Sequence, residues 1–274
     1  MNDTPTSTAT LQLHWPEYLI EAFSLGMFMV SACVFTALLE HPGSPFRQMI
    51  PSGFLRRAIV GFAMGLTALI LIYSPWGKRS GAHMNPSVTM AFLRLGKITP
   101  LDAVFYVVFQ FLGGWAGVAL SALIIHPWIA HPTVAYAVTV PGPQGVNVAW
   151  IAEFGISALM MASILLFSGR EALAPWTGVL AGTLVTMFIL FEAPLSGMSL
   201  NPARTTGSAL MAGVYDHIWI YFTAPVAGML AAAEFYRPQE KARSCAKLIH
   251  QKGTCCIFCG QCDETTGRIR EYGV

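Results

Sequence analysis

Residues 80–87 read Ser-Gly-Ala-His-Met-Asn-Pro-Ser, and residues 196–203 read Ser-Gly-Met-Ser-Leu-Asn-Pro-Ala. The two octapeptides share Ser, Gly, Asn and Pro at equivalent places. Asn is a preferred N-cap. Pro is favoured at the first helical position because its ring fixes φ and its missing N–H would have had no intrahelical partner. Each copy therefore predicts the start of a short helix, at Asn85 and at Asn201.

The sequence around these helices has the composition of a membrane protein. Of its 274 residues, 54% are hydrophobic and 11% are charged, whereas soluble domains carry about 25% charged residues. Several stretches without Lys or Arg approach the roughly 20 apolar residues that a helix needs to cross a bilayer. The formal net charge of +2 gives no indication of nucleic-acid binding. We expect a protein surrounded by membrane lipid, with no nucleic-acid partner.

Apolar length, bounded by polar residues, Gly or Pro, predicts six membrane spans. They cover residues 17–39, 56–74, 101–125, 149–168, 174–192 and 217–236. Because the number is even, both termini lie on one side. Twelve Lys and Arg residues then share the side of the termini and four lie opposite. This bias favours cytoplasmic termini in a plasma or inner membrane, although Arg56 and Arg57 lie on the disfavoured side.

The spans form two similar halves, each with the order span, span, Asn-Pro helix, span. Glu21 and Glu153 lie near the start of the two halves. Because three spans per half is an odd number, the second half inserts upside down. We predict an all-α membrane protein with six transmembrane helices and two half-membrane re-entrant helices in two inverted repeats. Its parts are a cytoplasmic segment (1–16), the first repeat (17–125, re-entrant helix 85–95), an extracytoplasmic loop (126–148), the second repeat (149–236, re-entrant helix 201–212) and a cytoplasmic Cys-rich tail (237–274).

The inversion brings the two re-entrant helices together near the midplane with their N-termini facing each other. Broken backbone at this depth is tolerated only where protein buries it or water lines it, which favours a water-lined path. Each helix N-terminus carries roughly +0.5 charge, so the pair disfavours cations and protons. For Glu21 and Glu153 two roles are possible: accepting hydrogen bonds from N–H groups of the loops before the half-helices, or relaying protons.

The motifs Ser80-Gly81-Ala82-His83-Met84-Asn85-Pro86 and Asn201-Pro202-Ala203-Arg204 resemble the two signatures of the aquaporins, the major intrinsic protein family. Gln110 and the two Glu residues stand at matching points, and the resemblance extends from Glu21 to about Arg237. It implies a six-helix bundle with a pore through each monomer, assembled as a homotetramer, in which both Asn amides donate hydrogen bonds to the permeating molecule. Ser87 stands where the family usually has Ala. The implied pore motifs are Asn85, Pro86, Ser87, Asn201, Pro202 and Ala203, with His83 orienting its loop.

The resemblance also implies a four-residue selectivity filter that contains Arg204, Met198, Ile189 and either Met64 or Gly65. Strict water channels usually have His where Ile189 stands and Phe near Met64, so this filter is less polar and more flexible. Glycerol-conducting members typically have Asp after the Arg, where this chain has Thr205. The preferred solute therefore stays open.

We expect a passive channel for water, small uncharged solutes or both, which excludes protons and ions. One alternative is a facilitator of neutral solutes such as glycerol or urea with little water flux. Another is a proton-coupled transporter, to which inverted repeats and intramembrane Glu residues are also suited. The sequence contains no recognisable nucleophile–base pair, phosphate loop or catalytic carboxylate pair, so we expect no enzyme.

The tail holds two overlapping C-x-x-C spacings, formed by Cys256, Cys259 and Cys262. Thiolates so spaced bind zinc or an iron–sulfur cluster, or form a redox pair. His250, Cys245 or Cys255 is the possible fourth ligand. The alternative is a flexible, reduced tail with no cofactor.

Overall fold

The computed structural model describes residues 7–237, 245–250 and 256–259. Within these ranges the chain is helical, with no strand. Short 3₁₀ turns lie at Trp128–Ala130, Ala135–Ala137 and Ala174–Trp176. The α-helices are α1 (Ser7–Glu40), α2 (Pro45–Met49), α3 (Gly53–Tyr73), α4 (Pro75–Ser80), α5 (Pro86–Arg94), α6 (Pro100–Ile125), α7 (Val146–Ser168), α8 (Thr177–Phe191), α9 (Ala193–Ser196), α10 (Pro202–Ala212) and α11 (Trp219–Tyr236).

Five segments have the length and apolar composition to cross a membrane: Thr10–Glu40, Gly53–Tyr73, Pro100–Ile125, Val146–Ser168 and Ala174–Phe191. They correspond to the first five predicted spans. The sixth, α11, contains Pro225 and Glu234 within its 18 residues and falls outside that set. It packs along α7 in the same way that α1 packs along α6. The predicted all-α membrane class is confirmed.

The first helix begins earlier than the sequence suggested. The predicted span starts at residue 17, because Pro16 and Glu17 look like a boundary, but α1 begins at Ser7 and passes through Pro16. The early turns are held from outside the helix. His14 Nδ1 lies 2.7 Å from Asp102 Oδ1, and the Tyr18 hydroxyl donates to the same oxygen at 2.6 Å. These bonds help offset the backbone hydrogen bond that an internal Pro removes.

The two halves interlock. The half-helix α10 of the second half packs on α6 of the first, and α5 packs on α11, while α3 and α8 join the halves along their length. The backbones approach closely where Gly residues face them. A Cβ added at Gly113 would lie 2.1 Å from the carbonyl oxygen of Ala22, so α1 and α6 could not come as near with a larger residue there.

The bundle has two distinct ends. At one end Arg79 Nε donates to Glu17 Oε1 at 2.9 Å, which joins the start of α1 to α4. We call this end the tail face, because residues 245–250 lie against it. At the other end, the opposite face, Arg56 pairs with Glu40 through two contacts of 3.1 Å. Since α5 follows α3 at the tail face and α10 follows α8 at the opposite face, the half-helices enter from opposite ends.

Candidate functional site

The half-helices α5 and α10 begin at the two Asn residues that the sequence singled out. Asn85 Oδ1 accepts the Ser87 N–H at 2.8 Å. Asn201 Oδ1 accepts the N–H groups of Ala203 and Arg204 at 3.0 and 3.2 Å. Both side chains therefore act as N-caps, which satisfies backbone donors that the first turn leaves free.

The amide nitrogens of the same Asn residues join the two half-helices head to head. Asn85 Nδ2 donates to the carbonyl oxygen of Leu200 at 2.9 Å, and Asn201 Nδ2 donates to that of Met84 at 2.7 Å. Each bond crosses from one half of the chain to the other. Because an amide NH₂ carries two hydrogens, each Asn keeps one hydrogen for a molecule in the cavity that both residues line.

Glu21 is fully buried and holds the loop before α5. Its Oε1 accepts the Ser80 hydroxyl at 2.7 Å and the His83 N–H at 3.0 Å. Its Oε2 accepts the Met84 N–H at 2.5 Å and the Gln110 amide at 2.8 Å. This carboxylate satisfies loop N–H groups that no helix could satisfy.

Glu153 does the same for the loop before α10. It is fully buried, and its Oε1 accepts the Ser196 hydroxyl at 2.7 Å and the Ser199 N–H at 2.6 Å. Its Oε2 accepts the Leu200 N–H at 2.8 Å. The two Glu residues thus occupy equivalent places in the inverted halves, with equivalent partners.

Two further features of these loops were missed by sequence reasoning. Met84 and Leu200, the residues before the Asn caps, have φ of +48° and +60°, an unusual backbone for residues with a Cβ. Tyr106 and Tyr221 donate their hydroxyls to the carbonyl oxygens of Ser80 and Ser196 at 2.6 and 2.5 Å. The Tyr residues fix the start of each loop and the Glu residues fix its end, so the strained backbone is held from both sides.

A cavity of about 670 Å³ runs along these loops. It extends from Arg56 and Arg57 near the opposite face, past both Asn residues, to His83 and Leu248 at the tail face. Aliphatic side chains and Met form much of its wall. The few polar groups of the cavity are therefore set in a mostly apolar wall.

The structure separates the two candidates for the fourth filter position. Met64 lines the cavity together with Ile189, Met198 and Arg204, whereas Gly65 does not. A Cβ at Gly65 would lie 2.1 Å from Thr186 Oγ1, so this residue faces α8. The structure therefore favours Met64 over Gly65 as the filter position, and Gly65 packs between α3 and α8.

Arg204 follows the second Asn-Pro motif and borders the cavity. Its backbone N–H is bound to Asn201, which fixes the base of the side chain. Its Nη1 is buried and has no hydrogen-bond partner within the described ranges. A buried guanidinium donor without a partner is costly, so this donor suits a polar group inside the cavity.

His83 connects the first Asn-Pro loop with the tail. Its Nδ1 lies 3.0 Å from Thr89 Oγ1, and its Nε2 lies 2.6 Å from the carbonyl oxygen of Ala246. Its ring stacks on Phe92 and Phe258, with centroids 4.9 and 5.8 Å away. Both ring nitrogens of His83 are thus engaged inside the protein, and the residue joins the first Asn-Pro loop to the tail.

Of the possible tail ligands, the structure describes Cys245, His250, Cys256 and Cys259. The ligand atoms of these four residues all lie within 4.8 Å of one another. Cys262 lies outside the described residues. Cys245 Sγ lies 3.4 Å from Cys256 Sγ, and the hydrogen bond between the two thiols is the main cause that lowers the pKa of Cys256 and raises that of Cys245.

Comparison with known proteins decides the family. Residues 8–236 match the family described as Major intrinsic protein. The chain belongs to that family. The resemblance drawn from the two Asn-Pro motifs is confirmed, and the protein is a multi-pass membrane protein.

Several curated relatives are plant aquaporins. Aquaporin NIP3-1 of Oryza sativa subsp. japonica is 38% identical over 63% of this chain and 54% of its own length. Probable aquaporin NIP7-1 of Arabidopsis thaliana is 32% identical over 70% of this chain and 68% of its own length. The chain thus spans between about half and two thirds of these relatives. The X-ray structure of the aquaglyceroporin from Plasmodium falciparum matches with a TM-score of 0.68 and 18% identity, over 82% of this chain and 96% of that one, which identifies the same fold.

Proposed function

We propose that this member of the major intrinsic protein family is a passive channel for water and small uncharged solutes. The observation that carries the proposal is the pair of Asn amides between the two halves of the chain. Asn85 and Asn201 each donate one hydrogen bond to a backbone carbonyl of the other half and keep one N–H for the cavity. A permeating molecule with a hydroxyl or amide oxygen can accept these donors in place of water. The proposal involves no covalent chemistry.

Rejection of ions follows from charge. The N-termini of α5 and α10 meet at the two Asn amides, and each contributes roughly +0.5 charge. The guanidinium of Arg204, whose buried Nη1 has no hydrogen-bond partner among the described residues, adds a positive charge beside the same cavity. A cation would lose its hydration shell against apolar walls and would meet the two helix N-termini and the Arg204 guanidinium, so the barrier is electrostatic as well as steric.

The filter supports a finer proposal, that neutral solutes larger than water are conducted. Met64, Ile189 and Met198 offer no hydrogen-bonding side-chain oxygen or nitrogen, so Arg204 is the polar filter residue. A solute with carbon–hydrogen groups on one side and hydroxyl or amide groups on the other fits such a wall, whereas water gains little from the apolar side. Met side chains also adapt to solutes of different shape.

Proton-coupled transport is less well supported. It would need Glu21 or Glu153 to release and take up protons during a cycle. Glu21 accepts four hydrogen bonds and Glu153 accepts three, all from groups that hold the loops. Protonating either carboxyl would break the loop that carries the Asn cap, so a structural role is the simpler explanation.

The filter can be tested with Ile189→His and the control Ile189→Leu, which keeps an apolar side chain of similar volume. Stopped-flow light scattering of proteoliposomes gives the rates for water, glycerol and urea. We expect the His variant to raise the ratio of water to glycerol permeability several-fold and the Leu variant to leave it near the wild-type value. An unchanged ratio in the His variant would contradict the filter assignment.

We also propose a homotetramer with both termini in the cytoplasm, located in the plasma or inner membrane. Many large apolar side chains on the outer helix faces are exposed, including Leu123, Ile151 and Phe62, which are 84%, 66% and 65% exposed. Lipid or neighbouring subunits can cover them. Light scattering coupled to size-exclusion chromatography should give four times the 29.7 kDa chain mass after correction for detergent, and a monomer mass would overturn this assembly.

A further inference from the structure

The tail cluster has the composition and the spacing of a metal site. Cys245, His250, Cys256 and Cys259 offer three thiols and one imidazole, and their ligand atoms lie within 4.8 Å of one another. Among them, Cys245 Sγ lies 3.4 Å from Cys256 Sγ, and His250 Nε2 lies 3.3 Å from Cys259 Sγ. Tetrahedral zinc with Zn–S bonds of about 2.3 Å sets its ligands roughly 3.8 Å apart. The distances between the four ligand atoms therefore lie close to those that one tetrahedral zinc ion requires.

The donor set favours zinc over other metals. Three Cys with one His is among the common structural zinc sets, and thiolate ligands exclude Mg²⁺ and Ca²⁺, which prefer oxygen. An iron–sulfur cluster distributes its Cys ligands over two or more iron atoms, which suits a wider ligand set than this one. Cys256 is 2% exposed while Cys259 is exposed, so an ion could enter from solvent on one side and be shielded on the other.

Both parts of the cluster contact the first Asn-Pro loop. The carbonyl oxygen of Ala246 lies 2.6 Å from His83 Nε2, and the Leu248 N–H donates to the carbonyl oxygen of Gly81 at 3.2 Å. From the other part, the Phe258 ring stacks on His83 with an interplanar angle of 8°. An ion bound by both parts would fasten them together over this loop.

Residues 246–248, which such an ion would hold in place, lie across the tail-face end of the cavity. Leu248 is 4% exposed and forms part of the cavity wall beside Ala82 and His83. Ala246 is fully buried, which shows that the segment packs into the bundle and does not lie loosely over it. An apolar side chain at the mouth of a narrow pore hinders the passage of polar molecules.

We propose that Cys245, His250, Cys256 and Cys259 bind one zinc ion, and that the bound zinc holds residues 246–248 across the tail-face mouth of the cavity. Zinc replaces the thiol protons, so binding releases protons and forms four metal–ligand bonds without any redox change. The second part of this proposal, restriction of the mouth by Leu248, rests on the proposed channel function. Loss of the metal would release the segment and open the mouth.

The metal site can be tested on the purified full chain without measuring transport. After incubation with zinc and desalting, elemental analysis should find one zinc per chain, and cobalt substitution should give the absorption of tetrahedral thiolate-bound Co²⁺. Cys245→Ser and His250→Ala should lose the stoichiometric metal, while Cys33→Ser, a change to a buried thiol within α1, should keep it. A wild-type chain without zinc, a Cys245–Cys256 disulfide in its place, or loss of zinc in Cys262→Ser but not in Cys245→Ser would overturn the assignment.

The restriction can be tested by permeability in proteoliposomes. Metal-stripped wild type should conduct the permeant solutes several-fold faster than the zinc-loaded form. Leu248→Ala should conduct faster even when zinc is bound, whereas the matched truncation Ile249→Ala, outside the cavity wall, should behave as wild type. Equal rates with and without bound zinc would overturn the restriction. If neither the stripped form nor Leu248→Ala conducts any solute, the channel proposal fails, and the zinc stoichiometry stands independently.

Discussion

Glu21 and Glu153 have the same structural role in the two inverted halves. Each loop before a half-helix has N–H groups that no helix or strand satisfies, at a depth where lipid surrounds the bundle. A buried carboxylate accepts them, and the same residue type serves at the equivalent place in the other half. The cost of burying the charge is offset by several charge-assisted hydrogen bonds.

Glu21→Gln should destabilise the protein because its amide NH₂ would face the loop N–H donors. Leaving such buried groups unsatisfied costs on the order of 3 kcal/mol. Thermal unfolding in detergent should show a clearly lower midpoint. The control Glu234→Gln removes an ion pair with Arg94 in which both side chains are 46% exposed, so it should cost less than about 1 kcal/mol. Equal effects of the two changes would contradict the role of Glu21.

Asn201→Asp should let cations or protons leak through the pore. Asp keeps the oxygen that caps α10, but it loses the donor to Met84 and places a negative charge where the two helix N-termini meet. The positive barrier would be reduced at its centre. A pH-sensitive dye and a potassium-sensitive dye trapped in proteoliposomes measure the leak. A variant as ion-tight as wild type would contradict the electrostatic account of ion rejection.

At this scale the sequence was informative where a residue type is unusual in its surroundings. An Asn-Pro pair between apolar spans and a Glu inside a span both place polar groups at membrane depth, where burying them is costly. These residues therefore indicated the site. Tyr106 and Tyr221 were missed as loop supports because Tyr is common in apolar spans. The positive φ of Met84 and Leu200 gave no signal, because neither residue type favours that backbone and tertiary contacts impose it.

Among the helices, α3 and α8 join the halves through close backbone contact. A Cβ at Gly65 would lie 2.4 Å from the carbonyl oxygen of Gly182, whereas Gly155 in α7 has no neighbouring atom within 4 Å of an added Cβ. Gly65→Ala should separate α3 from α8 and cost about 1–3 kcal/mol. Gly155→Ala should stabilise its helix by about 0.5–1 kcal/mol. Unfolding midpoints of the two variants that shift in the same direction would contradict this packing.

The long helices could be predicted because their apolar runs are long. The helices α2, α4 and α9 could not, since with 5, 6 and 4 residues they are too short to show a period. The start of α1 was missed because its early turns are fixed by contacts with Asp102 that lie 84 and 88 residues away along the chain. Contacts between residues so far apart along the chain cannot be predicted from the local sequence.

For the whole molecule, six spans predict that both termini lie on one side of the membrane. Epitope tags at the two ends should be removed by protease in inverted vesicles and protected in right-side-out vesicles. A tag inserted in the loop of residues 126–148 should show the reverse pattern. Tags at the two ends that differ in accessibility would contradict the six-span arrangement, in which α11 is the span with the weakest apolar signal.

The tail site could be predicted from the sequence only in part. The spacing of Cys256 and Cys259 predicted a site with Cys245 among its possible ligands, but the choice of Cys245 and the position of the site over the first Asn-Pro loop could not be predicted. Both depend on the tail folding back onto Gly81 and His83, and no periodic pattern in the sequence encodes that contact.

Neutral molecules are proposed to pass passively through the cavity that Asn85 and Asn201 line. The most direct measurement is stopped-flow light scattering of proteoliposomes that contain the metal-stripped full chain, challenged with water, glycerol and urea gradients. Passive conduction predicts that at least one of these moves several-fold faster than in empty vesicles, at a rate proportional to its own gradient and independent of any proton gradient. Rates equal to those of empty vesicles, or flux that requires a proton gradient, would contradict it.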